Sequence, residues 1–282
     1  MAILLALMSA VVYGVSDYVG GRSSRRVAPI SITWFSEVMM LIVFALTIPV
    51  FSDAGLSMRA IGWGVVAGAS ASLAVLGLYA SLARGNMTVV APVTGVVAAT
   101  LPVVVGVVLG ERPSSLAVAG IVLAIAAVAL IGGLVGATRR HTDAATIGGA
   151  IAIGAGFGLL FIAYAEAGED GGMWPLLTSR LGGIPVLGVA YVLARRRGSV
   201  GPPTRLSLVP AAAIGLMIGA ANGLYLLSTR EGLLSVVAVI VSLYPASPIA
   251  LAMAFDHERA ARSQLVGMAL AVIAVTAITL GS

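Results

Sequence analysis

Two residues of opposite charge stand inside long apolar runs of this chain, Glu37 and Arg180. A lone charge deep in hydrocarbon costs at least about 2.5–3.5 kcal/mol on membrane-insertion scales, so each demands a partner or a polar cavity. At 1.5 Å per helical residue, Glu37 lies roughly 13 Å into the second run and Arg180 roughly 10 Å into the seventh. If those runs enter from opposite faces of a membrane, the two depths meet near its midplane. The chemistry such a pair offers is recognition: a guanidinium attracts a carboxylate or other anionic group, and a carboxylate can exchange a proton. A purely structural ion pair between the second and seventh runs is the plainer alternative.

Other polar groups are candidates to complete a substrate-binding or gating surface. Asn222 and Tyr225 share a face of the eighth run, and Tyr164 shares one with Phe157 and Phe161 on the sixth. A mid-helix amide in lipid needs a partner, whereas aromatic stripes more often pack against lipid or helices. Trp34, Tyr79 and Tyr244 are further candidates. Proton coupling points to Glu37 or Asp17, with facilitated diffusion an equal alternative; Asp17 and Glu166 lie near run ends, where water can solvate a carboxylate. Pro92 and Pro102 in the fourth run, and Pro245 and Pro248 in the ninth, each remove a backbone donor. Helices broken at corresponding places point to a central site with hinges, against the alternative of tolerated kinks.

The elements that must position these groups follow from composition. Sixty per cent of the residues are hydrophobic and 10% charged, with a mean hydropathy of +1.09, so lipid rather than water is the main solvent. Apolar runs near 2–21, 28–50, 60–82, 88–109, 115–137, 146–166, 173–195, 207–229, 233–255 and 263–281 have the length of membrane spans. Lipid offers backbone groups no partners, and the runs lack the alternation of a barrel, so an all-α integral membrane protein with ten transmembrane helices is expected. Glycines at every fourth position (Gly64 and Gly68, Gly154 and Gly158, Gly215, Gly219 and Gly223) predict faces where helices approach closely.

The stretch from Tyr79 to Ile131 recurs from Tyr225 to Ile278. With a shift of 146, Tyr79 falls on Tyr225, Arg84 on Arg230 and Pro102 on Pro248; one inserted residue later, Glu111-Arg112 falls on Glu258-Arg259 and Gly120 on Gly267. An odd number of spans separates the copies, which turns the second upside down. Two inverted five-helix repeats are therefore expected, over 1–138 and 146–282, the loop Thr138–Asp143 dividing them.

All basic residues are Arg. Taken loop by loop, one side collects Arg22, Arg25, Arg26, Arg84, Arg139, Arg140, Arg195, Arg196, Arg197, Arg205, Arg259 and Arg262, the other Arg59, Arg112 and Arg230. The positive-inside rule makes the first side cytoplasmic and puts both termini outside a plasma (cytoplasmic) membrane. That distribution accounts for the net charge of +5 without a nucleic-acid partner. Arg22, Arg25 and Arg26 follow the first apolar run, unlike the charge of a cleavable signal, so this run is expected to stay in the protein.

Absences narrow the chemistry further. Without Lys there is no P-loop; without Cys, and with His141 and His257 both in loops, no thiolate or HExxH metal site. Ser16-Asp17 lacks a nearby His, and no nucleophile elbow is present. Neither a catalytic constellation nor a cofactor or metal is expected.

Gly110-Glu111-Arg112-Pro113, followed by Leu116 and Gly120, is similar to the Gly-Glu-Arg turn after the fourth helix of EamA-type transporters in the drug/metabolite transporter superfamily. Tyr79-Ala80-Ser81-Leu82 and Tyr13-Gly14 resemble that family's third- and first-helix motifs, and the resemblance spans essentially the whole chain. The second copy departs from it, reading Phe255-Asp256-His257-Glu258-Arg259. The resemblance implies ten helices in tandem five-helix repeats and secondary transport of small organic metabolites.

The expected protein is thus an alternating-access transporter of a small organic or drug-like molecule, an exporter more than an importer, with the lipid bilayer as its other partner. A channel, or a membrane enzyme or structural subunit, is the alternative. Nothing in the sequence fixes substrate or oligomeric state.

Overall fold

The computed structural model describes residues 1–52, 54–83, 87–133 and 144–281. Among the described residues the chain is all-helical. The segments are α1 (Ala2–Ser24), α2 (Pro29–Phe51), α3 (Met58–Ala83), α4 (Met87–Val108), α5 (Ser115–Ile131), α6 (Ala144–Glu166), α7 (Trp174–Arg196), α8 (Arg205–Glu231), α9 (Leu234–Val241), α10 (Ala246–Phe255) and α11 (Arg262–Gly281). α9 and α10 are the halves of one span, Leu234–Phe255, so that among the described residues nine spans are long and apolar enough to cross a membrane, beside the shorter Ser115–Ile131. Arg84, Arg139, Arg140 and His141 fall outside the described residues, as does the loop expected to divide the halves.

α5 is shorter than the run expected over 115–137. Gly132 caps it and Gly133 turns to φ +88°, a left-handed conformation natural to glycine that helices use to end. Apolar composition alone had carried the reading past that stop.

The prolines also act differently from expectation. α4 runs unbroken through Pro92 and Pro102, so the break expected there is absent. Neighbouring backbone braces the path: a Cβ on Gly132 would lie 2.9 Å from Pro92 Cα, and one on Gly154 2.7 Å from the Thr94 carbonyl oxygen. Packing this close can hold a proline-bearing membrane helix straight. The other pair marks a true interruption. Between α9 and α10 the bonds tighten to Leu243 N–H on Ile240, Tyr244 on Val241, Ala246 on Leu243 and Ser247 on Tyr244, while Pro245 donates nothing.

The main packing pairs form a pattern that maps onto itself when the first five spans are exchanged for the last five. α1 packs on α8 as α6 does on α3, α2 on α8 as α7 on α3, and α1 on α10 as α6 on α4. α2 with α7, α4 with α9 and α5 with α11 join like positions. Both termini lie at one end of the bundle: Ser114 Oγ, before α5, donates to the Gly281 carbonyl (2.6 Å), and a Cβ on Gly232 would lie 2.6 Å from Ala2 Cβ. At the other end Arg22 pairs with Asp256, and Arg25 with Glu258 (3.4 Å). A hydrogen bond from Tyr18, aided by Arg22, holds the Asp256 carboxyl below its usual range, so this clamp contributes at neutral pH and is lost only as acid titrates it.

Small residues set the tightest contacts, as their spacing predicts. A Cβ on Gly68 would lie 1.7 Å from the Ser179 carbonyl oxygen, and one on Gly182 2.1 Å from that of Val65, so α3 and α7 touch backbone to backbone. Gly215 meets Ser36 in the same way, drawing α8 onto α2. Gly62, on the same helix as Gly68, has open space beside it. Thermal unfolding in detergent should therefore separate them: Gly68→Ala costs about 1–3 kcal/mol by overpacking, whereas Gly62→Ala is neutral or slightly stabilising. Equal behaviour of the two variants would contradict the contact.

Candidate functional site

α2 and α7 bring Glu37 and Arg180 together in the middle of the bundle. Arg180 Nη1 donates to Glu37 Oε2 at 2.6 Å, with the arginine 4% and the glutamate 15% exposed. The pairing expected from their depths is present. The rest of the guanidinium is equally engaged: Nε (3.1 Å) and Nη2 (2.8 Å) donate to Ser179 Oγ, Nη2 to Tyr164 Oη (3.4 Å), and Nη1 to Met40 Sδ (3.4 Å). Those bonds match the five N–H groups an arginine possesses. Tyr164 in turn donates to Ser179 Oγ (3.0 Å), which donates to the Leu176 carbonyl (2.8 Å). A substrate anion would reach this arginine only by displacing Glu37 or a hydroxyl.

A second polar chain crosses from α1 to α8. Tyr13 donates to Asn222 Oδ1 at 2.5 Å, supplying the partner that a buried mid-helix amide requires. Tyr225 is fully buried; its hydroxyl donates to the Phe161 carbonyl (2.9 Å), and its ring lies 4.8 Å from Phe161 and 6.5 Å from Tyr164. Tyr13 is within electrostatic reach of both Tyr164 and Arg180, so the two chains form one central cluster.

Asp17 differs from the acidic groups of the loops in lying within α1. It is exposed, and among the described residues no ion pair neutralises it. Yet Tyr13, Tyr79 and Tyr244, from α1, α3 and the α9–α10 break, all feel its charge. Three elements thus bring a tyrosine within electrostatic reach of this carboxylate. Tyr79 is tied to Thr33 of α2, and Tyr244 lies 6.2 Å from Tyr13.

Trp34 stacks on Tyr191 of α7, centroids 5.8 Å apart, above Gly188. Pro245 and Pro248 border the break, where Gly14 packs so closely that a Cβ would lie 2.8 Å from the Tyr244 carbonyl oxygen. Glu166 is at the terminus end, 3.3 Å from Arg59. Tyr13, Thr33 and Met40 were not singled out from sequence as site residues. Thr33 and Met40 follow the helical spacing of Glu37, at four before and three after, and that spacing was the available signal. A crevice of about 550 Å³ runs between α2 and α8, lined by Met40, Phe44, Ile48, Gly219, Gly223 and Leu227 among others. Its wall at Met40 backs directly onto Arg180.

Residues 1–133 match the family model described as the EamA-like transporter family. Over those residues the chain is similar to that family. A solved crystal structure shares the fold across nearly all of both molecules, with a TM-score of 0.76 and 16% identity over 99% of this chain and 96% of its own. No curated protein sequence matches the chain. The apolar helices long enough to cross a bilayer make this a multi-pass membrane protein, and the EamA-like match over residues 1–133 supports a transporter role.

The closed network gives a stability test. Glu37→Gln leaves a buried guanidinium that cannot shed its proton and is expected to cost about 3–5 kcal/mol in thermal unfolding. Arg180→Gln leaves a carboxyl that can take up a proton, so its cost is smaller. Equal losses, or a larger loss for Arg180→Gln, would contradict the network as described.

Proposed function

We propose that the protein is a secondary transporter that exports a small organic metabolite or drug-like molecule by alternating access between two inverted five-helix halves. One observation carries this reading: every residue of α9 is buried, and none of α10 is. The same span is thus fully buried at the terminus end and only partly buried at the other, where α10 packs on α1. A continuous pore would leave both halves of the span open.

The packing pairs that survive exchange of the two halves support the inverted repeat. Arg22, Arg25, Arg26, Arg195, Arg196, Arg197, Arg205, Arg259 and Arg262 cluster in segments at the partly buried end, which supports a cytoplasmic location for it and an outside location for both termini. A molecule entering from the cytoplasm meets Asp17 with Tyr13, Tyr79 and Tyr244. The cluster of Glu37, Arg180 and Tyr164, braced by Asn222 and Tyr225, lies in the centre and serves as gate, with Trp34 buttressing α2 against α7. Pro245 and Pro248 supply the hinge. Asp17, an acid inside a span with no ion pair among the described residues, is the group proposed to couple protons; without that role the same route supports facilitated diffusion.

Counterflow in proteoliposomes, run across amino acids, nucleosides and small amphiphilic cations, tests the reading. Saturable counterflow of at least one class is expected, reduced tenfold or more by Asp17→Asn. Flux that neither saturates nor exchanges would favour a channel instead. If Asp17→Asn exchanges substrate as the parent does, the carboxylate has no part in binding.

A further inference from the structure

The turn between α4 and α5 carries a carboxylate whose bonds belong to the other half of the molecule. Glu111 accepts the N–H of Leu234 at 2.6 Å and of Ser235 at 2.9 Å, the first two residues of α9. Helix starts leave such amides without partners, and α9 has no side-chain cap of its own from Leu233. A carboxylate there also meets the positive end of the helix dipole.

The seat for this carboxylate is built into α4. A Cβ on Gly106 would lie 2.3 Å from Glu111 Oε2 and 3.3 Å from Ser235 N, so only glycine leaves the space. Gly110, at φ +99°, turns the chain back so that the Glu111 N–H bonds the Gly106 carbonyl at 2.9 Å.

The second copy repeats the turn but not the seat. Glu258 N–H bonds the Ala252 carbonyl at 3.2 Å, and Ala252 is the residue 146 positions after Gly106. Its methyl occupies the space that Gly106 leaves free. The Glu258 side chain lies out in solvent beside Arg25, 3.4 Å away and 56% exposed.

We propose that Glu111 is a one-sided latch: it bolts the α4–α5 turn to the start of α9, holds the terminus end shut, and biases the resting protein toward the conformation open at the arginine-rich end. This rests on the alternating-access reading above. Opening the terminus end must part α9 from Glu111, where interfacial water can take over the freed bonds. Among the described residues Glu258 makes no matching bond to a helix start and pairs with Arg25 instead, and Ala252 stands where the seat would be. The two conformations are therefore unequal in population even though the halves are alike in fold.

The chain contains no cysteine, so single cysteines report without background. Val237→Cys, fully buried on α9, reads the terminus end; Asp17→Cys reads the opposite vestibule. With a water-soluble maleimide on protein in lipid nanodiscs, Glu111→Gln should raise the Val237→Cys labelling rate on the order of tenfold, the scale of losing a helix cap. Gly106→Ala should do the same by filling the seat. Neither should raise the rate at Asp17→Cys, whereas loosening of the fold would raise both. Unchanged Val237→Cys labelling in both variants, or a joint rise at both reporters, overturns the latch. Counterflow by the parent protein is measured alongside: its absence would sink the transport reading, while the labelling contrast still judges the latch.

Discussion

A guanidinium in the middle of a hydrocarbon slab must have every donor satisfied by the protein, because lipid supplies none. Arg180 imposes that demand, and much of the central architecture answers it. α2 presents Glu37 and Met40, α6 presents Tyr164, and α7 presents Ser179, all to one side chain. Bringing these groups within bonding distance requires that α7 sit hard against its neighbours. The bare backbones at Gly64, Gly68, Gly182 and Gly183 are what permit it. Charge satisfaction and close packing are thus one constraint read at two scales.

The same constraint divides the polar residues into two kinds. Arg180 and Tyr225 are buried with their bonding groups spent inside the protein, which makes them supports more than a contact surface. Asp17 retains an exposed carboxylate without an ion-pair partner among the described residues. Recognition needs unspent bonding capacity, and on the proposed reading Asp17 supplies it more readily than the ion pair does. An anion-binding role for Arg180 would need Glu37 to release it first.

Much of the fold was legible because its signals are one-dimensional. Span number followed from apolar run length, and the meeting of Glu37 with Arg180 followed from helical rise and the cost of a lone charge. What stayed hidden depends on neighbours. Pro102 and Pro248 occupy equivalent places, yet one sits in a continuous helix and the other beside a break, although both stretches are closely packed, α4 by Gly154 and Gly158 of α6 and the break by Gly14 of α1. Tyr13 gave no sign of its bond to Asn222, since an aromatic residue in an apolar run reads equally as lipid-facing, packed or polar. The end of α5 was written in Gly132-Gly133, but a pair of glycines within a membrane run also reads as a packing face.

Near-symmetry with one broken element is what a two-state machine in lipid requires. If both halves were identical in sequence, the two conformations would have equal free energy and neither would be preferred at rest. If they differed too much, one conformation would dominate and exchange would stall. Here the helices and their packing pairs are repeated, while the differences concentrate in the fourth span and its mate: a continuous helix against a broken one, Gly106 against Ala252, and a carboxylate on α9 against one in solvent beside Arg25. These local differences bias an equilibrium by the scale of a few hydrogen bonds, small enough for a bound substrate to offset. On the alternating-access reading, the resting orientation would then be set by sequence differences at the ends of one span, leaving the central residues free to diversify for a ligand.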